Sequence, residues 1–100
     1  MSKSKFKDII DSSQPVLIDF YADWCGPCKV QTPILKKLKK EIGSIARIIK
    51  IDVDKHPKLS QSLDIFSIPT VALFQNGEMK WRASGVQTAA VLKKKIEELV

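Results

Sequence analysis

The chain has 100 residues, 44% of them hydrophobic, enough for one domain (residues 1–100) that buries most of its apolar surface without covalent staples. No stretch approaches the roughly 20 apolar residues of a membrane span, and the basic start, Met1 to Lys7, runs into Asp8, Asp11 and Ser12-Ser13-Gln14 rather than an apolar segment, so the chain reads as cytoplasmic and not membrane-bound. Its 17 basic and 11 acidic residues give +6, but Lys36, Lys37, Lys39 and Lys40 and the run Lys93 to Lys95 alternate with core-type Leu38 and Ile96 and hold no aromatic residues among them; they read as solvated helix faces, not as a nucleic-acid surface.

Phe6, Ile9 and Ile10 recur at helical spacing and stop at Ser12-Ser13-Gln14-Pro15, a short first helix. Val16 to Tyr21 is an apolar run broken only by Asp19, the pattern of a strand covered on both faces of a parallel sheet. The next helix starts at the cysteine segment and runs to about Ile42, with Val30, Ile34, Leu38 and Ile42 as its core stripe, Pro33 inside it and Gly43 as its stop. Ile45 to Ile51 follows as a second buried strand. Pro57 opens a short helix carrying Leu59 and Leu63, preceded by His56, which reads as a turn or capping residue rather than a ligand.

Thr70 to Phe74 and Glu78 to Ala83 flank Gln75-Asn76-Gly77, where the Asn-Gly pair signals a hairpin; Met79, Trp81 and Ala83 alternate and are expected on one core-facing side. Val91, Leu92, Ile96 and Leu99 make a closing amphipathic helix. The order is α/β, parallel in the first half and antiparallel at the end.

Both cysteines of the chain lie in Trp24-Cys25-Gly26-Pro27-Cys28. If a helix begins there, the thiols sit about one turn apart on one face, and the first is at a helix N-terminus, where unpaired N–H groups and the positive end of the helix dipole favour a thiolate. A zinc site needs four ligands, and beyond these two the chain offers one histidine and no second cysteine pair, so no metal is expected. Covalent haem attachment needs histidine after the second cysteine, and Lys29 stands there. An inert buried pair conflicts with the open end of a sheet just after a strand. Reversible redox chemistry remains, with Cys25-Cys28 as a redox-active disulfide and no bound cofactor.

Asp19 adds to this. An ionised carboxylate inside an apolar strand is costly. Either it is paired for stability, with Lys50 of the neighbouring strand as a candidate, or it is a general base of raised pKa that takes a proton from the deeper cysteine; the two are compatible.

The segment Val16 to Lys29, with Pro33-Ile34-Leu35, Lys50-Ile51-Asp52-Val53-Asp54, Ile68-Pro69-Thr70, Asn76-Gly77-Glu78 and Gly85, resembles the thioredoxin family over nearly the whole chain. The resemblance implies a mixed sheet of four to five strands flanked by helices on both faces. It implies that Cys25, exposed at the helix start, attacks a substrate disulfide and that Cys28, one turn deeper, resolves the mixed disulfide. Asp19 would accept the Cys28 proton through water, with Lys50 tuning its charge. Pro69 matches the family's cis-proline, leaving the Ile68 backbone free to pair with an extended substrate. Trp24, Gly26, Pro27, Ile68, Gly85 and Val86 would form the rim that receives it.

Gly26-Pro27 is the dipeptide typical of members that reduce, which implies a monomeric protein-disulfide reductase recharged by an NADPH-dependent thioredoxin reductase. Four departures stand out, one of them Tyr21 where the family often has tryptophan. The family's usual first strand has little room before the first helix and is expected to be short or absent. Gln31-Thr32 stands where apolar residues are frequent. Ser84 replaces a common valine beside Gly85, making the rim more polar.

Overall fold

The computed structural model describes residues 1–100. Strand β1 (Val16–Tyr21) sets the layout, because successive side chains of a strand point to opposite faces. Val16, Ile18 and Phe20 pack on one side with Phe6 and Ile10 of α1 (Lys3–Ile10) and Leu59 of α3 (Pro57–Ser62). Leu17 faces the other side with Leu35, Leu38 and Ile42 of α2 (Gly26–Ile42) and Leu92 and Ile96 of α4 (Ala89–Glu97). Asp19 shares that second face.

The four-stranded sheet has the order β2-β1-β3-β4. Strand β2 (Arg47–Asp52) runs parallel to β1, β3 (Thr70–Gln75) antiparallel to β1, and β4 (Glu78–Ser84) antiparallel to β3. The expected mixed sheet between helical layers is present, and the family's first strand is absent. Helix α1 starts at Lys3, where the Ser2 hydroxyl accepts from the Lys5 N–H at 3.1 Å.

That absence explains one correction. The second strand is not buried over Ile45 to Ile51: Ile45 belongs to a 3-10 turn and is 45% exposed, the strand begins at Arg47, and only Ile51 and Asp52 are buried. With no strand beyond it, β2 is an edge, and its basic residues Arg47 and Lys50 suit an edge that must not pair at random.

The core stripe of α2 is also corrected. Cys28, Gln31, Leu35, Leu38 and Ile42 are buried, Ile34 is half-buried and Val30 is 55% exposed. A strict every-fourth-residue series advances 400° per step, so from Val30 to Ile42 it drifts by about 120°; alternating steps of three and four hold one face.

The third correction concerns β4. Leu73 pairs with Trp81 but Phe74 pairs with Met79, an irregularity that leaves Lys80 as the extra residue of a bulge. The bulge breaks the alternation. Trp81 and Ala83 pack on the α2/α4 side, whereas Met79 lies beside Phe6 and Phe74 on the opposite face and is 39% exposed. The Asn76-Gly77 turn has φ of +53° and +81°, and its two N–H groups reach the carbonyls of Ser12 and Ile10 at 2.8 and 3.0 Å, fastening the hairpin to the end of α1. His56 occupies the position before α3, where its carbonyl, not its ring, accepts from Ser60 N–H and Oγ.

Candidate active site

Helix α2 begins where β1 ends, and Cys25 is its N-cap with an extended backbone (φ −84°, ψ 111°). Pro27 falls in the first turn, where its missing N–H removes no helical bond. The Cys28 N–H donates to Cys25 Sγ at 3.2 Å, and the two cysteines form a disulfide with Cα atoms 5.3 Å apart. Cys25 is not exposed as expected: in the disulfide both residues are 3% accessible, enclosed with Ala22 by Tyr21, Val53 and Ile68. What distinguishes them is their surroundings. Cys25 Sγ lies 3.8 Å from the Ile68 carbonyl oxygen. Cys28 instead borders a small cavity of about 120 Å³ shared with Tyr21, Thr32 and Lys50.

Asp19 is fully buried on the same face of β1, and neither carboxylate oxygen has a hydrogen-bond partner. Burial away from water pushes its pKa up to about 6, with the Lys50 charge working in the opposite direction. Lys50 is the register partner of Asp19 but forms no ion pair with it. Its ammonium donates to Thr32 Oγ1 at 2.7 Å and sits 4.5 Å from the centre of the Tyr21 ring. The carboxyl is thus influenced by a nearby cation without being held by one.

The rim is assembled from three segments. Trp24 is 70% exposed, and its indole N–H donates to Asp54 Oδ2 at 2.8 Å; Asp54 is itself set by its N–H bond to Asp52 Oδ1 at 2.9 Å. Gly26 and Pro27 beside it are exposed. Ile68-Pro69 is a cis peptide, and the Pro69 carbonyl accepts from Gly85 N–H at 2.8 Å, tying the second segment to the third. Gly85 adopts φ +85°, a conformation side chains disfavour. Val86 follows, 39% exposed. Thr70 Oγ1 gives its proton to the Ser67 carbonyl at 2.6 Å, so in the 3.2 Å contact with Ser84 Oγ it is Ser84 that donates. The hydroxyl of Ser84 is therefore engaged within the fold.

Two residues near this rim were given no role from sequence. Gln31, wholly buried in α2, receives the Gln87 N–H on Oε1 at 2.8 Å and donates Nε2 to the Gln87 carbonyl at 3.0 Å, pinning the chain just after Gly85 and Val86. Its sequence signal was a polar residue on a buried helical face, which needs a partner. Phe66, two residues before Ile68, is 86% exposed, a property no local pattern reveals. No cluster of three or more His, Cys, Asp or Glu side chains is placed to hold a metal.

A disulfide at a helix N-terminus, closing a βα turn under an unpaired backbone carbonyl, defines a thiol-disulfide oxidoreductase of the thioredoxin fold. Comparison with known proteins agrees. The thioredoxin family model matches residues 1–98. The thioredoxin of Rickettsia felis is 43% identical over 81 residues, covering 81% of this chain and 77% of that protein. The bifunctional thioredoxin reductase/thioredoxin of Mycobacterium leprae is 38% identical over 97 residues, which are 97% of this chain and 21% of that protein. Among solved structures, a mutant thioredoxin of Halobacterium salinarum superposes with a TM-score of 0.87 at 34% identity, covering 99% of this chain and 86% of the other. The chain belongs to the thioredoxin family, and its Cys25-Cys28 pair performs dithiol-disulfide exchange.

Proposed function

We propose that the protein works in the reducing direction, as a protein-disulfide reductase. The observation that carries the proposal is the setting of the cysteine pair: a helix N-terminus stabilises the reduced thiolate, Gly26-Pro27 lies between the sulfurs, and the Ile68 carbonyl faces Cys25 at 3.8 Å. In the reduced protein the Cys25 thiolate attacks one sulfur of a substrate disulfide. A bond forms between Cys25 and that sulfur, and the other substrate sulfur leaves as a thiolate. Cys28 then loses its proton to Asp19 through water and attacks Cys25. The second substrate sulfur leaves as a thiolate, and the Cys25-Cys28 disulfide is restored with two electrons passed to the substrate.

Asp19 suits the role of base because it is buried, unpartnered and has a pKa near 6. Lys50 moderates that value. An extended substrate would pair with the free backbone of Ile68 beside Pro69 and rest against Trp24, Gly26, Pro27, Gly85 and Val86.

A separate enzyme must return two electrons and two protons to the disulfide. The joining of thioredoxin reductase and thioredoxin in the Mycobacterium leprae relative supports a thioredoxin reductase in this part, which in our reading draws on NADPH. Action as a cytoplasmic monomer completes the reading; no helix is long and apolar enough to cross a membrane. The test is reduction of insulin disulfides coupled to NADPH oxidation with a thioredoxin reductase present. NADPH consumption that stops in Cys25→Ser, and disulfide-linked substrate trapped on Cys25 in Cys28→Ser, is the expected result. Lack of turnover, or a reduction potential as high as that of oxidising family members, overturns the proposal.

A further inference from the structure

Phe66 is the most exposed large apolar side chain of the molecule, at 86%. A single exposed hydrophobe on a loose loop would mean little. This loop is held at both ends. Helix α3 stops at Asp64, whose φ is +55°, with the Ile65 N–H on the Ser60 carbonyl and the Asp64 N–H on the Gln61 carbonyl, each at 3.0 Å, the paired bonds of a Schellman stop. The Arg82 guanidinium, reaching from β4, donates to the Leu63 and Asp64 carbonyls at 2.6 and 2.8 Å. Ile65 packs inward beside Leu59, and the Ser67 carbonyl is taken by Thr70 Oγ1. Phe66 is therefore presented outward by a fixed backbone.

The backbone itself carries the second observation. Neither Phe66 nor Ile68 has a hydrogen-bond partner within the chain for its N–H or, the Cys25 sulfur contact aside, its C=O. Free donors and acceptors on alternate residues give another chain an edge to pair with, although Ser67 to Pro69 bend and belong to no strand of the sheet. This edge ends at the disulfide, and the apolar rim described above continues along it.

We propose that Phe66 is the outer anchor of the substrate groove. The extended segment that pairs with Ile68 continues along the open edge to Phe66 and lays a large apolar side chain on its ring. Residues that share one side of a strand are two apart, so the preferred substrates are disulfide-bearing segments with Leu, Met or an aromatic residue two positions from the residue paired with Ile68. Phe66 acts here as a binding residue and takes no part in the sulfur chemistry. The inference deepens the reductase reading and rests on it.

The test uses reduction of synthetic disulfide-linked peptides, each with a cysteine in a Ser/Ala background and one Leu placed at successive positions on either side. Hydroxyethyl disulfide, too small to reach Phe66, serves as a control. Leu at one alternate position should raise kcat/KM roughly tenfold, mainly through KM. Phe66→Ser should abolish that preference and Phe66→Trp keep it, with thermal unfolding and hydroxyethyl disulfide rates unchanged in both. A Leu preference that survives in Phe66→Ser, or no preference at any position, overturns the inference. Failure of the wild-type protein to reduce even hydroxyethyl disulfide would instead refute the reductase reading.

Discussion

Replacing Asp19 by Asn should make the protein more stable at neutral pH, and the structure gives the size of the effect. The carboxyl is fully buried with both oxygens unpartnered, and its pKa is raised from 3.8 to about 6 by loss of hydration. At about 1.4 kcal/mol for each pH unit, ionising this group in the folded state costs about 3 kcal/mol more than in the unfolded chain. The sign follows from proton uptake: between pH 3.8 and about 6 the folded state holds this proton more tightly, so the contribution of Asp19 to stability is greatest below pH 4 and is lost as pH rises through 6. Asn carries no charge and escapes that penalty. Denaturant unfolding of the oxidised proteins from pH 4 to pH 8 should show a difference near zero at the acid end, growing to about 3 kcal/mol in favour of Asp19→Asn above pH 7, on the order of 15 °C in Tm. A difference that does not change with pH, or a variant less stable than wild type at pH 7.5, would refute the reasoning, because it would mean that the carboxylate is satisfied in the folded protein.

Lys50→Met removes the cation that lowers the Asp19 pKa, so the titration of Asp19, followed by NMR of its carboxyl carbon, should move above pH 6; a midpoint that stays put or falls would show that the Lys50 charge does not reach it. Asp19→Asn should also slow resolution of a preformed mixed disulfide near neutral pH more than the initial attack by Cys25, measured by stopped-flow, and equal slowing of both steps would remove Asp19 as base for Cys28. Gln31→Ala deletes two hydrogen bonds and strands a backbone N–H and C=O of Gln87, costing about 2–4 kcal/mol in chemical denaturation and raising KM for insulin as the Gly85-Val86 segment loosens; a loss under about 0.5 kcal/mol would show that the rim does not depend on this side chain.

Local rules carried the element plan and the chemistry. The apolar run of β1, the Asn-Gly hairpin turn and the start of α2 at the cysteine segment could be read from a few adjacent residues, because turn conformation, capping and strand alternation depend on near neighbours. The reversible thiol pair was legible for the same reason, since its spacing, its helix start and Asp19 all lie in one short segment. What failed were statements about which side of an element meets which neighbour. Ile45 and Val30 look like core residues and are exposed, and Met79 changes face at a bulge that nothing in its own strand announces.

From the sequence alone came the fold class, the redox pair and the carboxyl proposed to serve it. Tertiary structure decided that Lys50 bonds Thr32 rather than Asp19, leaving the carboxyl bare, that Gln31 of α2 holds the loop after Gly85, and that Phe66 stands outside the core on a pinned loop. Each depends on a contact between residues distant along the chain. Burial and hydrogen-bond partnership are properties of such contacts, and the residue types alone leave the partners open.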